Sequence, residues 1–219
     1  MALVSQLVSA QDPQSRAQAL EAAHDALQRD ECIVLPTDTV YGIGADAFSA
    51  QAVTILLAAK GRNRTMPPPV LIARIEVMDA LAVEIPDDAR ALAEAFWPGA
   101  LTLILSAQPT LSWDLGETEG TVALRIPADD LALELLERTG PLAVSSANRT
   151  GLEAATTAEQ ARSMLGDAVT VYIDGGERAV QQPSTIVDCT QTPPRVVREG
   201  AISLEELRTA APQVQPPSS

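Results

Sequence analysis

Cys32-Ile33-Val34-Leu35-Pro36-Thr37-Asp38-Thr39-Val40-Tyr41-Gly42-Ile43-Gly44 joins two kinds of sequence. Its first four residues are a continuous apolar run, the pattern of a strand covered on both faces. The run then breaks into proline, hydroxyl side chains and glycine, and this break falls at the strand's carboxyl end, where open α/β sheets place their ligands. Thr37, Asp38 and Thr39 have two readings there: turn chemistry, with side chains bonding nearby backbone amides, or groups offered to a ligand. Gly42 and Gly44 allow a tight backbone, but a GxG without a third glycine falls short of a dinucleotide-binding fingerprint.

The same pattern recurs further along. Pro141-Leu142-Ala143-Val144 is a second short apolar strand, and it runs out into Ser145-Ser146-Ala147-Asn148-Arg149-Thr150-Gly151. Ser146 and Asn148, two apart in an extended segment, point to the same side. They either present a hydroxyl and an amide to phosphate oxygens or close an ST- or Asx-turn. The glycines of a GxSxG nucleophile elbow are absent. Around these two strands, helical and extended segments alternate. Helices are expected from Asp12-Pro13 to about Arg29, over 49–59 behind a Ser49 cap, from Pro86 to Phe96, and over 129–138, 157–165 and 203–208. Strands are expected at 70–73, 101–105, 122–127, 169–173 and 185–188. Arg125 lies inside one of them, and if that strand is central its charge requires a carboxylate or a ligand anion. The acidic stretch 112–120 reads as a surface loop, and the proline- and serine-containing tail 210–219 as disordered. With no internal repeat or boundary, one α/β domain over 1–209 is expected.

Lys60 is the only lysine; the other 14 of the 15 basic residues are arginines. It stands in Ala59-Lys60-Gly61-Arg62-Asn63-Arg64, at the end of a helix and before Met66-Pro67-Pro68-Pro69. A compact ammonium and a planar guanidinium two positions apart suit a polyanion such as a nucleoside triphosphate; a solvated helix end is the plainer reading. The chain's net charge of −14 argues against a broad nucleic-acid footprint, so any anion site must be a local pocket. Cys32 and Cys189 form no CxxC and have no companions at metal-ligand spacing, and read as buried thiols. His24, the only histidine, sits on a polar helix beside Asp25 and reads as a surface residue. The first fifteen residues carry no Lys or Arg and do not read as a signal peptide, and no apolar run is long enough to span a membrane. A cytoplasmic protein is expected.

Leu35-Pro36-Thr37-Asp38-Thr39-Val40-Tyr41-Gly42, Lys60-Gly61-Arg62, Trp97-Pro98-Gly99 before Leu101-Thr102-Leu103, Arg125-Ile126-Pro127, Ser145-Ser146-Ala147-Asn148, Pro183-Ser184-Thr185-Ile186-Val187-Asp188 and Arg198-Glu199-Gly200, in this order and spacing, resemble the YrdC/Sua5-type threonylcarbamoyl-AMP synthases. The resemblance implies a single-domain twisted open α/β sheet with a deep cleft. It also implies condensation of L-threonine, bicarbonate or CO₂ and ATP, with Mg²⁺ held mainly by the ATP phosphates and no prosthetic group. The product would pass to the t6A transferase machinery that modifies tRNA; strong direct tRNA binding is not expected. By position, Lys60 and Arg62 are expected to hold phosphates and the carbamate, Ser146, Asn148 and Arg198 the triphosphate, and Thr37, Tyr41, Arg125 and Ser184 the threonine and adenylate sites. Two departures are that Ile72-Ala73-Arg74 stands where many relatives carry a histidine, and Gln181-Gln182 where they often carry a glycine. The chain looks like the family's short form. Competing readings are an RNA-binding or regulatory module on the same scaffold, and a carbamoyl-transfer domain using carbamoyl phosphate.

Overall fold

The computed structural model describes residues 5–179 and 182–218. Its strands are β1 (Gln6–Ser9), β2 (Ile33–Leu35), β3 (Gly42–Asp46), β4 (Val70–Leu71), β5 (Leu101–Ser106), β6 (Thr121–Arg125), β7 (Leu142–Ser146), β8 (Val171–Asp174), β9 (Thr185–Asp188) and β10 (Arg195–Arg198). Its helices are α1 (Pro13–Leu27), α2 (Ala50–Lys60), α3 (Glu76–Leu81), α4 (Asp87–Phe96), α5 (Asp130–Thr139), α6 (Ala158–Leu165) and α7 (Leu204–Ala210). Capping fixes where several begin. The Asp12 side chain accepts from the Gln14 and Ser15 amides, and the Ser49 side chain from the Ala52 amide, satisfying amides that have no partner within the helix. α2 ends on Gly61 in the left-handed region, φ 65°, which a residue without Cβ adopts at little cost.

The strands form one open mixed sheet in the order β1-β8-β2-β3-β7-β4-β6-β5-β9-β10. Successive side chains alternate between its faces. Val34, Ala143, Tyr172, Leu101, Leu103, Leu124 and Val187 point one way into an apolar layer with α2, α4, α6 and α7. Ile33, Leu35, Leu142, Val144, Val171 and Ile173 point the other way, against α1 and α5. This second layer reaches Leu71 on β4 but takes in no residue of β6, β5, β9 or β10. From that uncovered half project Thr102, Ile104, Thr121, Ala123, Arg125 and Ile186, the floor of a cavity.

The structure differs from the sequence reading in three places. Gly42 to Gly44 belong to a central strand, paired antiparallel to β2 and β7. These glycines serve close packing: a Cβ on Gly42 would lie 2.6 Å from Val144 Cγ1. The short β1, β10 and α3, none of them expected, carried no strong periodic signal. The tail is ordered through 218: Ala211 and Val214 are buried, and the Gln215 amide donates to the Pro194 carbonyl while its own carbonyl accepts from Val196. Two small apolar residues among prolines anchor a segment that composition alone assigns to solvent. Gln181, and Ser219 at the end of that tail, lie outside the described residues.

Candidate active site

The cavity holds about 520 Å³ and opens between the β2–β3 turn, the 62–69 connection, the carboxyl end of β7 and the segment preceding β9. Arg62, Arg125 and Arg198 line it, and among the described residues no Asp or Glu does. Of the residues expected to form a site, Arg62, Ser146, Arg198, Thr37, Tyr41, Arg125 and Ser184 line this one cavity, while Lys60 and Asn148 do not.

Arg125 leaves the end of β6 and is almost fully buried. Its Nε donates to the Gly99 carbonyl (2.9 Å), Nη1 to Thr39 Oγ1 (3.2 Å) and Nη2 to Asp38 Oδ1 (2.6 Å). The strand is interior, and Asp38 is the carboxylate that this requires. Burial holds the Arg125 pKa below its ordinary value, and Asp38 opposes that shift. A guanidinium has five N–H donors; three are used here, which leaves two for a ligand. Thr37 follows the turn reading: its Oγ1 donates to the Val40 carbonyl (2.7 Å) and accepts from the Thr39 amide (3.2 Å), and it still lines the cavity.

On the next wall, Arg62 Nη1 donates to Ser145 Oγ (3.0 Å). Its Nε is buried and, among the described residues, has no hydrogen-bond partner. On the far wall, Arg198 Nη2 donates to the Ser184 carbonyl (2.7 Å), and Ser184 Oγ lies 2.9 Å from Thr102 Oγ1. Burial, then Arg125, then Arg62 hold the Arg198 pKa below its ordinary value. The three guanidiniums therefore repel one another across a partly desolvated space, a strain that a bound polyanion relieves.

Lys60 and Asn148 lie behind this wall. Lys60 is 0% exposed, and its Nζ donates to the carbonyls of Ser146 and Asn148 and, at 3.4 Å, to Asn148 Oδ1. Ser146 and Asn148 do not share a face, because β7 ends at Ser146 and the chain turns, the Asn148 amide donating back to the Ser146 carbonyl (2.9 Å). The Asn148 side-chain amide donates to the Arg149 and Leu152 carbonyls. Tyr41 lines the cavity, but its hydroxyl donates to the Gly176 carbonyl (2.7 Å) and accepts from the Gly175 amide (3.1 Å).

Arg64 lies outside the cavity lining, half exposed, and pairs with Asp114 at 2.6 Å. The Glu117 amide also donates to the Arg64 carbonyl (2.7 Å), so the 112–120 loop is strapped to the 62–69 connection. That loop is more than surface: Leu115 is buried, and with Thr118 it lines the cavity. Ala73 is absent from the lining; Met66, Pro67, Pro68, Pro69 and Leu71 form the wall there. Both cysteines are buried and free, their thiols pushed up to about 12 by burial. Sequence reasoning weighed Asp38 as a turn residue or a ligand group but not as the partner of Arg125, and gave Thr102 and Ser145 no role. Both fell inside stretches that carry the resemblance, Ser145-Ser146-Ala147-Asn148 and Leu101-Thr102-Leu103, which marked the segments without singling out either residue.

Residues 25–200 match the Sua5/YciO/YrdC family profile, described as "Telomere recombination". A Mycobacterium tuberculosis protein, named provisionally as a threonylcarbamoyl-AMP synthase, is 50% identical over 196 residues, covering 90% of each chain. The threonylcarbamoyl-AMP synthase of Pyrococcus abyssi is 36% identical over 190 residues, 86% of this chain and 56% of the relative. The crystal structure of P. abyssi Sua5 complexed with L-threonine superposes with a TM-score of 0.91 at 33% identity, covering 97% of this chain, which spans 62% of that one. With the open sheet and the sequence match agreeing over four-fifths of its length, the chain belongs to the Sua5/YciO/YrdC family.

Proposed function

We propose that the chain is an L-threonylcarbamoyladenylate synthase, joining L-threonine, bicarbonate or CO₂ and ATP to give threonylcarbamoyl-AMP and pyrophosphate. The observation that carries this is the cleft's charge: in a chain of net charge −14, its lining holds three arginines and, among the described residues, no carboxylate. Such a cavity selects a compact polyanion. The family membership and the threonine complex of a relative name the chemistry.

The threonine amine attacks the carbon of CO₂, losing a proton and becoming a carbamate. A carbamate oxygen then attacks the α-phosphorus, and pyrophosphate leaves with the electrons of the broken P–O bond. No enzyme nucleophile is required. Phosphoryl-type transfer depends mostly on positioning and charge neutralisation. We assign Arg62, Arg198, Ser145 and Ser146 to the triphosphate, and the free donors of Arg125, with Thr37, Thr102 and Ser184, to the threonine and adenylate portions. Mg²⁺ enters with ATP, held by its phosphates: among the described residues no group of three His, Cys, Asp or Glu is placed to hold a metal.

The product would serve the t6A modification of tRNA through a separate transferase, in the cytoplasm; direct tRNA binding would be weak, given the net charge. No described helix is long and apolar enough to cross a membrane. The test is pyrophosphate release from MgATP with and without threonine and bicarbonate, followed by detection of the mixed anhydride. Release that ignores threonine would sink this reading.

A further inference from the structure

Lys60 presents a puzzle that the proposed function leaves open. It is the chain's only lysine, is fully buried, and is absent from the lining of the cleft. An ammonium has three N–H donors, and all three have acceptors here: the Ser146 carbonyl, the Asn148 carbonyl at 2.8 Å and Asn148 Oδ1 at 3.4 Å. None of these acceptors is charged, and among the described residues no carboxylate pairs with it. The backbone of Lys60 faces the same turn, its carbonyl accepting from the Thr150 amide (3.0 Å) and Thr150 Oγ1 (2.9 Å). The Asn148 amide group is spent on Arg149 and Leu152, which leaves its oxygen turned to Lys60. The residue is thus bound at both ends to one turn, 146–150, whose first residue, Ser146, lines the cleft together with Ser145.

We propose that Lys60 is a positioning residue: its ammonium draws the Ser146 and Asn148 carbonyls behind the cleft wall, fixing Ser145 and Ser146 in front beside Arg62, and it makes no contact with the bound anion. Its assignment to catalysis rests on the functional reading above; its place behind the wall does not. The geometry also accounts for the lysine itself. Three oxygens converging on one enclosed point fit a tetrahedral ammonium, whereas a planar guanidinium spreads its donors and needs more room.

Reductive methylation of the unaltered protein under native conditions, read by mass spectrometry of its proteolytic peptides, tests the placement; the peptide carrying Lys60, the only lysine, is read apart from the N-terminal peptide, whose α-amine also reacts and serves as the positive control. Burial, and next Arg62, hold the Lys60 pKa down to about 7, so an accessible Lys60 would react faster than an ordinary lysine. The expected result is protection with and without MgATP, and modification after unfolding in guanidinium. Rapid methylation that MgATP suppresses would overturn the proposal. The role is tested by Lys60→Arg and Lys60→Met in threonine-dependent pyrophosphate release. Both are expected to fall at least tenfold, since arginine cannot occupy the enclosed site; Lys60→Arg within twofold of the unaltered protein would overturn it, because a phosphate contact in an open cleft tolerates either cation. If the variants do not fold, methylation alone decides. Absence of threonine-dependent release from the unaltered protein would remove the functional reading and leave the methylation result standing.

Discussion

Arg125 Nη2 and Asp38 Oδ1 lie 2.6 Å apart beneath the cleft, their side chains 8% and 14% exposed. The pair joins the turn after β2 to the end of β6, two elements far apart in sequence. Removing one member of such a pair leaves the other charged and desolvated, at a cost of about 3–5 kcal/mol. Asp38→Ala is therefore expected to lower unfolding free energy by about that amount in urea titrations, with little relief from added salt. A loss below about 1 kcal/mol would show that solvent reaches Arg125 in solution.

Gly42 and Val144 are in close contact across β3 and β7. A Cβ at 42 would sit 2.6 Å from Val144 Cγ1, and overpacking of this kind costs about 1–3 kcal/mol. Gly42→Ala should be destabilised within that range by chemical denaturation. Trimming Val144 to Ala in the same chain should recover part of the loss, giving a favourable coupling in the double-mutant cycle.

Arg198 is anchored to Ser184 by its Nη2 and Nε and faces the cavity from the rim. Hydrogen bonds to charged groups contribute about 1.5–3 kcal/mol, so Arg198→Ala should raise the KM for ATP roughly 10- to 100-fold. Its melting temperature should change little, since its hydrogen bonds all go to one neighbour, Ser184. Steady-state pyrophosphate release at varied ATP checks this; an unchanged KM would remove Arg198 from the triphosphate site.

Lys60 also predicts how stability depends on pH. Its ordinary pKa of 10.5 falls to about 7 in the fold, first through burial. Between those values the unfolded chain holds a proton that the folded chain has released, so stability rises with pH across about 7 to 10.5. Below about 7 both states are protonated and the contribution is flat. Guanidinium unfolding at stepped pH should show this upward slope in the unaltered protein, and Lys60→Met should lose it. An equal slope in both would assign it to another group.

Most of the fold was legible in the sequence because its strands are short apolar runs and its helices carry caps such as Asp12, Ser49 and Ser203. β3 was not, because glycine reads as turn when its real use is contact with Val144, a residue a hundred positions away. The tail was not, because two small apolar residues are too weak a signal against prolines. In the site, the motifs of the resemblance pointed to Arg62, Arg125, Arg198 and Ser184, and these line one cavity. The motifs could not tell front from back: Ser145 and Lys60 flank the same turn, 146–150, one on the cleft side and one behind it, and only the end of β7 at Ser146 decides which faces the cleft. The Asp38–Arg125 pair was half visible, as a charge requiring a partner that the sequence did not identify.

The helical cover of one sheet face ends at β4, and this makes the cleft an unequal vessel. Its floor is strand backbone held by ladders on both sides, while its walls are connections, one of them strapped by the half-exposed Arg64–Asp114 pair, a contact of at most about 1 kcal/mol. A rigid floor under adjustable walls separates two design problems. Thr102, Ile104, Thr121, Ala123 and Ile186 can be exchanged on a fixed grid to recut the shape of the acceptor amino acid. The rate at which a bulky adenylate escapes can be tuned independently, from the strap.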